Sequence, residues 1–327
     1  MDTKLLTIRT LVSSLSSSSG QIRLVALRHL RRTSNEDPAS RSLISAAGAI
    51  PLLADALYSP LHPIQDHAAA TLLNLSISDR QPFLSSPTLL PAIAHLLSRH
   101  ATSSAATAVQ SAAATLHSLL VVVAEFRHTV GANPDLLHAL ISIISHPDSL
   151  TRSIKDALKA SFGVALHPPN RITLIRIGAV PVLFALIAKD KDGKRKVGII
   201  EDATAVITQI AACEESEDAF LKVSGISKLA MMLCSESGSC SLRTKENAVA
   251  ALLNLMRYGS ERVVGEVRSN VGALDGIAYV QEHGSPKGKS KAMVFFKLLL
   301  DGGSSGDIVQ DLYPVDSESG SSCSNSK

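Results

Sequence analysis

The chain has 327 residues, of which 45% are hydrophobic, 19% charged and 3% aromatic, with no tryptophan and a formal net charge of +3. This nearly balanced charge gives no electrostatic reason to expect binding to DNA, RNA or an anionic membrane. The few aromatic rings also argue against a stacking platform for single-stranded nucleic acid. The cysteines show neither a C-x-x-C pair nor zinc-ligand spacing and are expected to be reduced thiols in an intracellular protein: Cys213, Cys234, Cys240 and Cys323.

The N-terminal segment does not resemble a signal peptide, because charges and serines interrupt its apolar residues. The most apolar run, near Leu119 to Ala124, is far shorter than the ~20 residues that a membrane-spanning helix needs. We therefore expect a cytoplasmic and/or nuclear protein that does not insert into a membrane.

One helical pattern recurs along the chain and is clearest in Gln65 to Ser76 and Lys245 to Met256. In both segments apolar or small residues fall at i, i+3, i+4 and i+7, which is the period of a helix. Both carry too little charge for a surface helix, so we expect them to lie in the interior. Seven copies follow one another at intervals of 44 to 46 residues, and their marker positions are His29, Asn74, Ser118, Gly163, Gln209, Asn254 and Leu298.

A second pattern, glycine followed by Ala or Ile and often by proline, precedes another apolar helix. It occurs at Gly48, Gly178, Gly225 and Gly272, and the pairs Leu90-Pro91 and Asn133-Pro134 replace it elsewhere. Glycine ends a helix readily, and proline is tolerated in the first turn of the next one. Each unit is therefore predicted to contain a short helix, a sharp corner, a second helix, a loop and a long buried third helix.

A period in the forties with three helices per unit is typical of armadillo or HEAT solenoids. The glycine-containing corner and the Leu-Leu-Asn-Leu third helix favour armadillo. We predict an all-α fold, a right-handed armadillo-repeat superhelical solenoid of about six to seven three-helix repeats. It would span residues 1–300, with atypical first and last repeats as caps. Residues 301–327, rich in serine, glycine and acidic side chains, are expected to form a disordered tail.

Four segments resemble the armadillo region of plant U-box ubiquitin ligases: Gly48 to Pro51, Gln65 to Ser76, Val197 to Ile226 and Arg243 to Leu255. The likeness extends from about Leu11 to Leu300 and is most specific between Val197 and Leu255. It implies protein binding and an association with ubiquitin ligation. The catalytic U-box that precedes the repeats in that family has no counterpart in this sequence, so we expect this chain not to be an enzyme.

The third helices of such a solenoid line its concave side, so their polar markers should form a row along a groove for an extended peptide or helix of another protein. The candidate groove residues are His29, Asn74, Ser118, Gln209 and Asn254. By resemblance, the asparagines would hold the ligand backbone, because an amide both donates and accepts. The alternative is that they only satisfy neighbouring backbone groups. Import receptors of this fold place tryptophan four residues before the asparagine, whereas Ala70 and Ala250 stand here, which argues against that function.

Two basic groups are candidate contacts for an acidic partner: Lys194, Arg195 and Lys196 in one, and Lys287, Lys289 and Lys291 in the other. The first group could also be a nuclear-localisation signal, although the interleaved Asp190 and Asp192 favour a solvated loop. The second lies in Gly284 to Ser290, which is one residue short of a phosphate-binding loop and is predicted to follow a helix. We therefore expect Ser290 to cap the last helix instead.

No H-E-x-x-H motif or nucleophile elbow occurs, so we expect no metal, no cofactor and no catalytic residue. The sequence predicts a non-catalytic adaptor that binds other proteins and is linked to ubiquitin-mediated signalling in plants, with kinases or ubiquitination-pathway components as candidate partners. Two alternatives stay open. The chain could be an armadillo fragment or paralogue of a U-box ligase whose U-box lies elsewhere, or a signalling scaffold unrelated to ubiquitin.

Overall fold

The computed structural model describes residues 3–78, 80–99, 106–188, 197–234, 240–270 and 274–300. These ranges contain twenty α-helices, one 3-10 turn and no strand. The long third helices of the repeats are α2 (Gly20–Glu36), α5 (His62–Ser76), α8 (Ala106–Val122), α11 (Thr151–Ala165), α14 (Val197–Ile210), α17 (Leu242–Tyr258) and α20 (Pro286–Leu300).

The second helices are α1 (Thr3–Ser14), α4 (Ala49–Ala56), α7 (Leu89–Ser98), α10 (Pro134–Ser145), α13 (Ala179–Ala188), α16 (Gly225–Cys234) and α19 (Leu274–His283). The first helices are α3 (Pro38–Ala46), α6 (Gln81–Leu84), α9 (Ala124–Gly131), α12 (Pro168–Arg176), α15 (Glu217–Lys222), which follows the 3-10 turn Glu214–Ser216, and α18 (Glu261–Asn270). Six complete three-helix units therefore run from α3 to α20, and α1 and α2 precede them.

Each third helix packs against the third helix of the next unit, from α2 through to α20. All seven predicted markers lie on these helices, which confirms the predicted all-α armadillo solenoid. A single hydrophobic cluster runs along the stack from Ile8 to Leu298, so the core is elongated rather than round. Leu72 and Leu252 are at most 1% exposed, as the apolar period predicts.

Three of the described corners between first and second helices contain a residue with positive φ. Gly48 and Gly178 have φ of 80° and 81°, in the left-handed region that suits glycine. In the later repeat the prediction is wrong by one residue, because Ser224 takes this conformation with φ of 51° and Gly225 begins α16. Gly225 is needed for space, since a Cβ there would lie 3.0 Å from the Phe184 ring. Gly272 lies outside the described residues.

Acidic side chains on the third helices cap the third helix of the following unit. Glu201 accepts a hydrogen bond of 2.6 Å from the Ser241 hydroxyl before α17. Glu246 accepts from the backbone N–H and the hydroxyl of Ser285 before α20. In the same way, the Asp66 carboxylate of α5 accepts a hydrogen bond from the backbone N–H of Ala108 in α8. A carboxylate is favourable there, because a helix N-terminus carries unpaired donors and partial positive charge.

The N-terminal cap of α20 is therefore Ser285, whose hydroxyl accepts from the backbone N–H of Gly288 at 3.1 Å. The expectation that Ser290 caps this helix is wrong, because α20 already begins at Pro286.

Arginines on the first helices bind the C-terminal carbonyls of the preceding third helices. Arg41 donates to Ser34 O at 2.7 Å, and Arg127 donates to Leu120 O at 2.9 Å. Arg171 donates to Ala165 O at 2.9 Å and to Ala212 O, beyond the end of α14, at 2.8 Å. These bonds place positive charge at the negative end of the helix dipole and join neighbouring units. Burial lowers the pKa of Arg171.

Among the described helices, none is by itself both long enough and apolar enough to cross a membrane. Taken together, α12 and α13 meet both requirements, but a bend of 74° separates them. The same residues contain no cluster of three or more His, Cys, Asp or Glu side chains that could hold a metal ion.

Candidate partner-binding groove

The predicted polar row lies on the third helices, and three of its members bind the third helix of the preceding unit. The Asn74 amide donates to the Ser34 hydroxyl of α2 at 3.0 Å. The Asn254 amide donates to Thr208 O of α14 at 2.9 Å, and the Ser118 hydroxyl donates to Ser76 O at 3.1 Å. Within the described residues, the side-chain oxygens of the two asparagines accept no hydrogen bond. Each amide therefore joins two repeats through its N–H and keeps an acceptor.

The other two members of the row behave differently. Gln209 is half-buried and His29 is exposed, and neither side chain makes a hydrogen bond in the part of the chain that the structure describes. The row is also interrupted, because the buried Gly163 occupies the marker position of α11. The structure therefore places the five predicted residues along one layer of helices but does not bring them together into a single cluster.

A cavity of about 250 Å³ lies where the row is interrupted. Its apolar wall is formed by Val121 of α8, Leu158 and Phe162 of α11, and Ala205 of α14. His117, Lys159, Asp202 and Arg243 supply its polar lining. Since every one of these residues belongs to a third helix or its first turn, the cavity opens on the same layer as the polar row. We call it the third-helix cavity.

The cavity lies beside a close contact between α11 and α8. A Cβ on Gly163 would lie 2.7 Å from the Leu120 Cβ, so glycine allows α11 to approach α8 closely. Lys159 stands four residues before Gly163, where the neighbouring copies carry Ala114 and Ala205. Lys159 and Phe162 line the cavity together with the small Ala205.

Two residues that line the cavity each have a buried polar atom with no hydrogen-bond partner in the part of the chain that the structure describes. These atoms are Asp202 Oδ2 and His117 Nδ1, both shielded from solvent. Burial raises the pKa of Asp202, against the opposing effect of Lys159, Lys155 and Arg243. Burial and the nearby Lys159 lower the pKa of His117. Leaving a buried polar atom unpaired costs roughly 1–3 kcal/mol, so these two side chains lower the stability of the fold at this place.

The pKa of Asp202 leads to a pH-dependent prediction. Since its folded-state pKa lies above the ordinary value of 3.8, the folded protein binds this proton more tightly than the unfolded chain. Asp202 therefore makes the free energy of unfolding fall as the pH rises from 3.8 through the folded-state pKa. We expect Asp202→Asn to gain stability relative to the unsubstituted protein across this window and to remain the more stable at neutral pH. Urea unfolding of both proteins from about pH 3 to 7 measures the difference. A difference that does not vary with pH would contradict the prediction.

The two predicted basic groups have different outcomes. Lys194, Arg195 and Lys196 lie outside the described residues. The other three lysines lie in the first two turns of α20. Lys287 and Lys289 are exposed and Lys291 is half-buried, and the Lys289 ammonium donates to Glu282 O at 2.8 Å. This second group is therefore accessible, and one of its members already binds the C-terminal end of α19.

A larger open groove of about 900 Å³ lies on the second-helix layer. Tyr58, His95 and His138 line it, and the Tyr58 and His95 rings are 4.8 Å apart. The third-helix cavity lies on the same layer as the predicted polar row, whereas this groove does not.

Sequence reasoning missed the third-helix cavity because it followed a single marker position in each copy. A usable signal lay at neighbouring positions: His117 and Phe162 each precede a marker by one residue, Lys159 by four and Asp202 by seven. Residues one, four and seven positions before the marker lie on the same face of a helix. These side chains therefore point in the same direction on three consecutive third helices, α8, α11 and α14.

Residues 7–312 match the family described as the plant U-box protein ARM repeat region. U-box domain-containing protein 18 of Arabidopsis thaliana is 26% identical over 289 residues, which cover 88% of this chain and 40% of that protein. U-box domain-containing protein 8 of the same plant is 28% identical over 219 residues, covering 67% of this chain and 54% of that protein. The chain thus spans only about half the length of these relatives or less.

Solved structures show the same fold. An engineered protein aligns with a TM-score of 0.74 at 19% identity, covering 90% of this chain and 69% of its own. A designed armadillo repeat protein aligns with a TM-score of 0.51 at 19% identity, covering 89% and 99%. A computationally designed armadillo repeat protein for modular peptide recognition has a TM-score of 0.50 at 20% identity, with coverage of 89% and 99%. These structures share the fold of this chain, and the family match over residues 7–312 shows that the chain belongs to the plant U-box protein ARM repeat family.

Proposed function

We propose that this chain is a non-catalytic adaptor that binds an extended peptide or a helix of another protein along its third-helix layer. The observation that carries the proposal is the arrangement of Asn74 and Asn254, whose amide N–H groups are held by the preceding repeat while the oxygens stay available. A backbone N–H of a bound peptide can donate to such an oxygen. One structural neighbour with the same fold was designed for modular peptide recognition, which supports a peptide as the kind of partner.

The proposal includes a link to ubiquitin-mediated signalling, because the relatives are named as U-box domain-containing proteins.

A second candidate function is favoured by the length of those relatives, since the region that matches this chain makes up 40% of U-box domain-containing protein 18. It could therefore act as the armadillo part of a ligase whose U-box is supplied from outside this sequence. A signalling scaffold unrelated to ubiquitin is the third candidate. We propose cytoplasm and/or nucleus as the location, with kinases or ubiquitination-pathway components as partners.

Reconstitution with a ubiquitin-activating enzyme, a panel of E2 enzymes and ubiquitin tests the non-catalytic part. We expect no self-ubiquitination by this chain alone, because its matched region is a repeat region. E2-dependent self-ubiquitination would overturn the proposal. Affinity purification of partners from plant extract then separates the ubiquitin-linked adaptor from the unrelated scaffold, according to whether ubiquitination enzymes or their substrates are enriched.

The groove is tested with a partner peptide obtained from that purification. Replacing Asn74 and Asn254 together by alanine should weaken binding roughly tenfold or more, because two hydrogen bonds of about 0.5–1.5 kcal/mol each are lost. Isothermal titration calorimetry measures the change.

Asn270→Ala is the matched control for the groove test. Asn270 also joins helices, accepting from the Ser227 hydroxyl of α16 at 2.5 Å, but it lies on the first-helix layer. We expect its loss to leave the affinity unchanged. Equal affinities for the double variant and the unsubstituted protein would move the binding site away from these asparagines.

A further inference from the structure

We propose that the third-helix layer binds an acidic segment of the partner protein, with the cations around Asp202 as the central contact. This inference rests on the proposed function and deepens it, because it names the charge of the segment that the layer recognises. It is carried by the distribution of charge among the layers of helices and by cations that no acidic side chain of this chain pairs.

Positive charge is concentrated in one of the three layers of helices. Among the third helices, α2, α11, α17 and α20 carry net charges of +3, +2, +2 and +4, whereas α5, α8 and α14 carry −1, 0 and −2. The third-helix layer therefore carries +8 in total, counting Lys and Arg against Asp and Glu. The second helices carry −1 in total, and the first helices with the 3-10 turn carry 0. A nearly neutral chain thus presents one strongly basic layer.

The acidic side chains of this layer are mostly engaged within the fold. Of the six, Asp202 accepts no hydrogen bond within the described residues. The other five accept hydrogen bonds from side chains or backbone of the chain itself: Glu36, Asp66, Asp156, Glu201 and Glu246. Their negative charge therefore serves to link and cap helices.

Cations without such partners occur along the whole layer. Arg28, Arg152, Arg243 and Lys287 are exposed, and Lys155 and Lys159 are half-buried. In the part of the chain that the structure describes, these six side chains make neither a hydrogen bond nor an ion pair. They are therefore available to the carboxylates of a partner, with which they can form charge-assisted hydrogen bonds.

The sequence positions of these cations place them on the helix face that opens to the third-helix cavity. Lys159 and Arg243 line the cavity and stand four and eleven residues before their markers. Arg152 and Lys287 also stand eleven residues before a marker, and Arg28 stands one residue before. Residues at these offsets lie near one another on one face of a helix. The cations therefore recur on this face from α2 to α20.

The cations come closest together around Asp202 of α14. Lys155, Lys159 and Arg243 all act on this carboxylate and oppose the rise in pKa that its burial causes. They belong to α11 and α17, on either side of α14, and the Lys155 Nζ would lie 2.9 Å from a Cβ added at Gly198 of α14. Glu201 is the other acidic side chain that acts on Asp202. Three cations thus face two carboxylates here, and a carboxylate of the partner would balance the excess positive charge.

The surroundings of the cations favour a protein segment over a nucleic acid. Asp156 and Asp202 both stand seven residues before a marker, so a continuous phosphate backbone would pass close to two carboxylates. Asn74 and Asn254 offer oxygens that accept no hydrogen bond within the described residues. The backbone N–H groups of a peptide can donate to these oxygens, whereas a phosphodiester backbone has no N–H group.

Peptides of one length that differ only in charge test the proposal on the whole chain. The probes are dye-labelled Asp-Ser, Gln-Ser and Lys-Ser repeats, with an oligouridylate of the same charge as the Asp-Ser peptide, and fluorescence anisotropy measures binding. We expect the Asp-Ser peptide to bind about tenfold more tightly than the Gln-Ser peptide at low salt. This advantage should shrink as salt is added, because salt screens exposed charges. Equal binding of the Gln-Ser peptide, tighter binding of the Lys-Ser peptide or the oligouridylate, or no binding of the Asp-Ser peptide would overturn the proposal.

Charge variants connect the binding to the named residues. Lys159→Gln with Arg243→Gln should weaken Asp-Ser binding several-fold, and Lys159→Glu with Arg243→Glu should weaken it about tenfold or more. Arg176→Glu with Lys222→Glu is the matched control, because both side chains are exposed on first helices and the change in net charge is the same as in the reversal. We expect the control to leave the affinity nearly unchanged. Equal losses in the control and the reversal variant, or undiminished binding after reversal, would overturn the assignment.

The partner peptide from the purification distinguishes this inference from the proposed function. Failure of the Asp-Ser peptide to bind, with a partner peptide that still depends on Asn74 and Asn254, removes only this inference. Asp-Ser binding that depends on Lys159 and Arg243, with no partner peptide that depends on the two asparagines, removes only the proposed function.

Discussion

Replacing Phe184 by alanine is expected to lower the free energy of unfolding by about 3–5 kcal/mol, the range found when a buried phenylalanine is removed. Phe184 on α13 is 1% exposed and packs edge-to-face against Phe220 of α15, with ring centroids 5.7 Å apart at 86°. Gly225 of α16 lies against the same ring. The alanine would leave a cavity where three helices from two repeats meet.

Urea denaturation followed by circular dichroism measures this loss. Met231→Ala is the control, because Met231 lies on α16 near the same junction but is 70% exposed. We expect the control to change stability by no more than about 0.5 kcal/mol. A loss below about 1 kcal/mol for Phe184→Ala would mean that the junction is not packed as described.

Replacing Gly131 by alanine is expected to destabilise the protein by an amount comparable to the loss of Phe184. A Cβ at this position would lie 1.9 Å from the Asn170 Oδ1. The Asn170 amide donates to Arg127 O at 2.7 Å and to Val164 O at 3.0 Å, joining α9, α11 and α12. The new methyl group must displace this side chain. Overpacking costs roughly 1–3 kcal/mol, and unpaired buried carbonyls cost roughly 1–3 kcal/mol more.

Gly265→Ala is the matched control for this prediction. Gly265 lies within α18 with nothing within 4 Å of an added Cβ, so alanine should stabilise the protein by about 0.5–1 kcal/mol through helix propensity. Thermal unfolding compares the two variants. Because solenoid repeats unfold locally, hydrogen exchange should show lost protection in α9, α11 and α12 for Gly131→Ala. Similar stability of the two glycine variants would contradict the close packing of Asn170.

The repeat architecture could be predicted from the sequence because it depends on local chemistry repeated at a fixed interval. The apolar period of Gln65 to Ser76 recurs in six other places, and in each of them a third helix is found. The corners were predicted for the same reason at Gly48 and Gly178, where a left-handed residue is required. The spacing of the corners could not show whether Ser224 or Gly225 has the positive φ, since the two residues are adjacent.

The partners of individual side chains could not be predicted, because they lie about one repeat away along the chain. Ser285 caps α20 with the help of Glu246, and Asn254 donates to Thr208 O, and both contacts depend on how closely adjacent third helices stack. The third-helix cavity is the clearest case. The sequence by itself determined the spacing of the repeats and the layer that carries the polar row. Only the tertiary structure revealed that Gly163 lets α11 approach α8 closely, and that Asp202 Oδ2 and His117 Nδ1 make no hydrogen bond within the described residues. Both findings depend on how neighbouring third helices pack together.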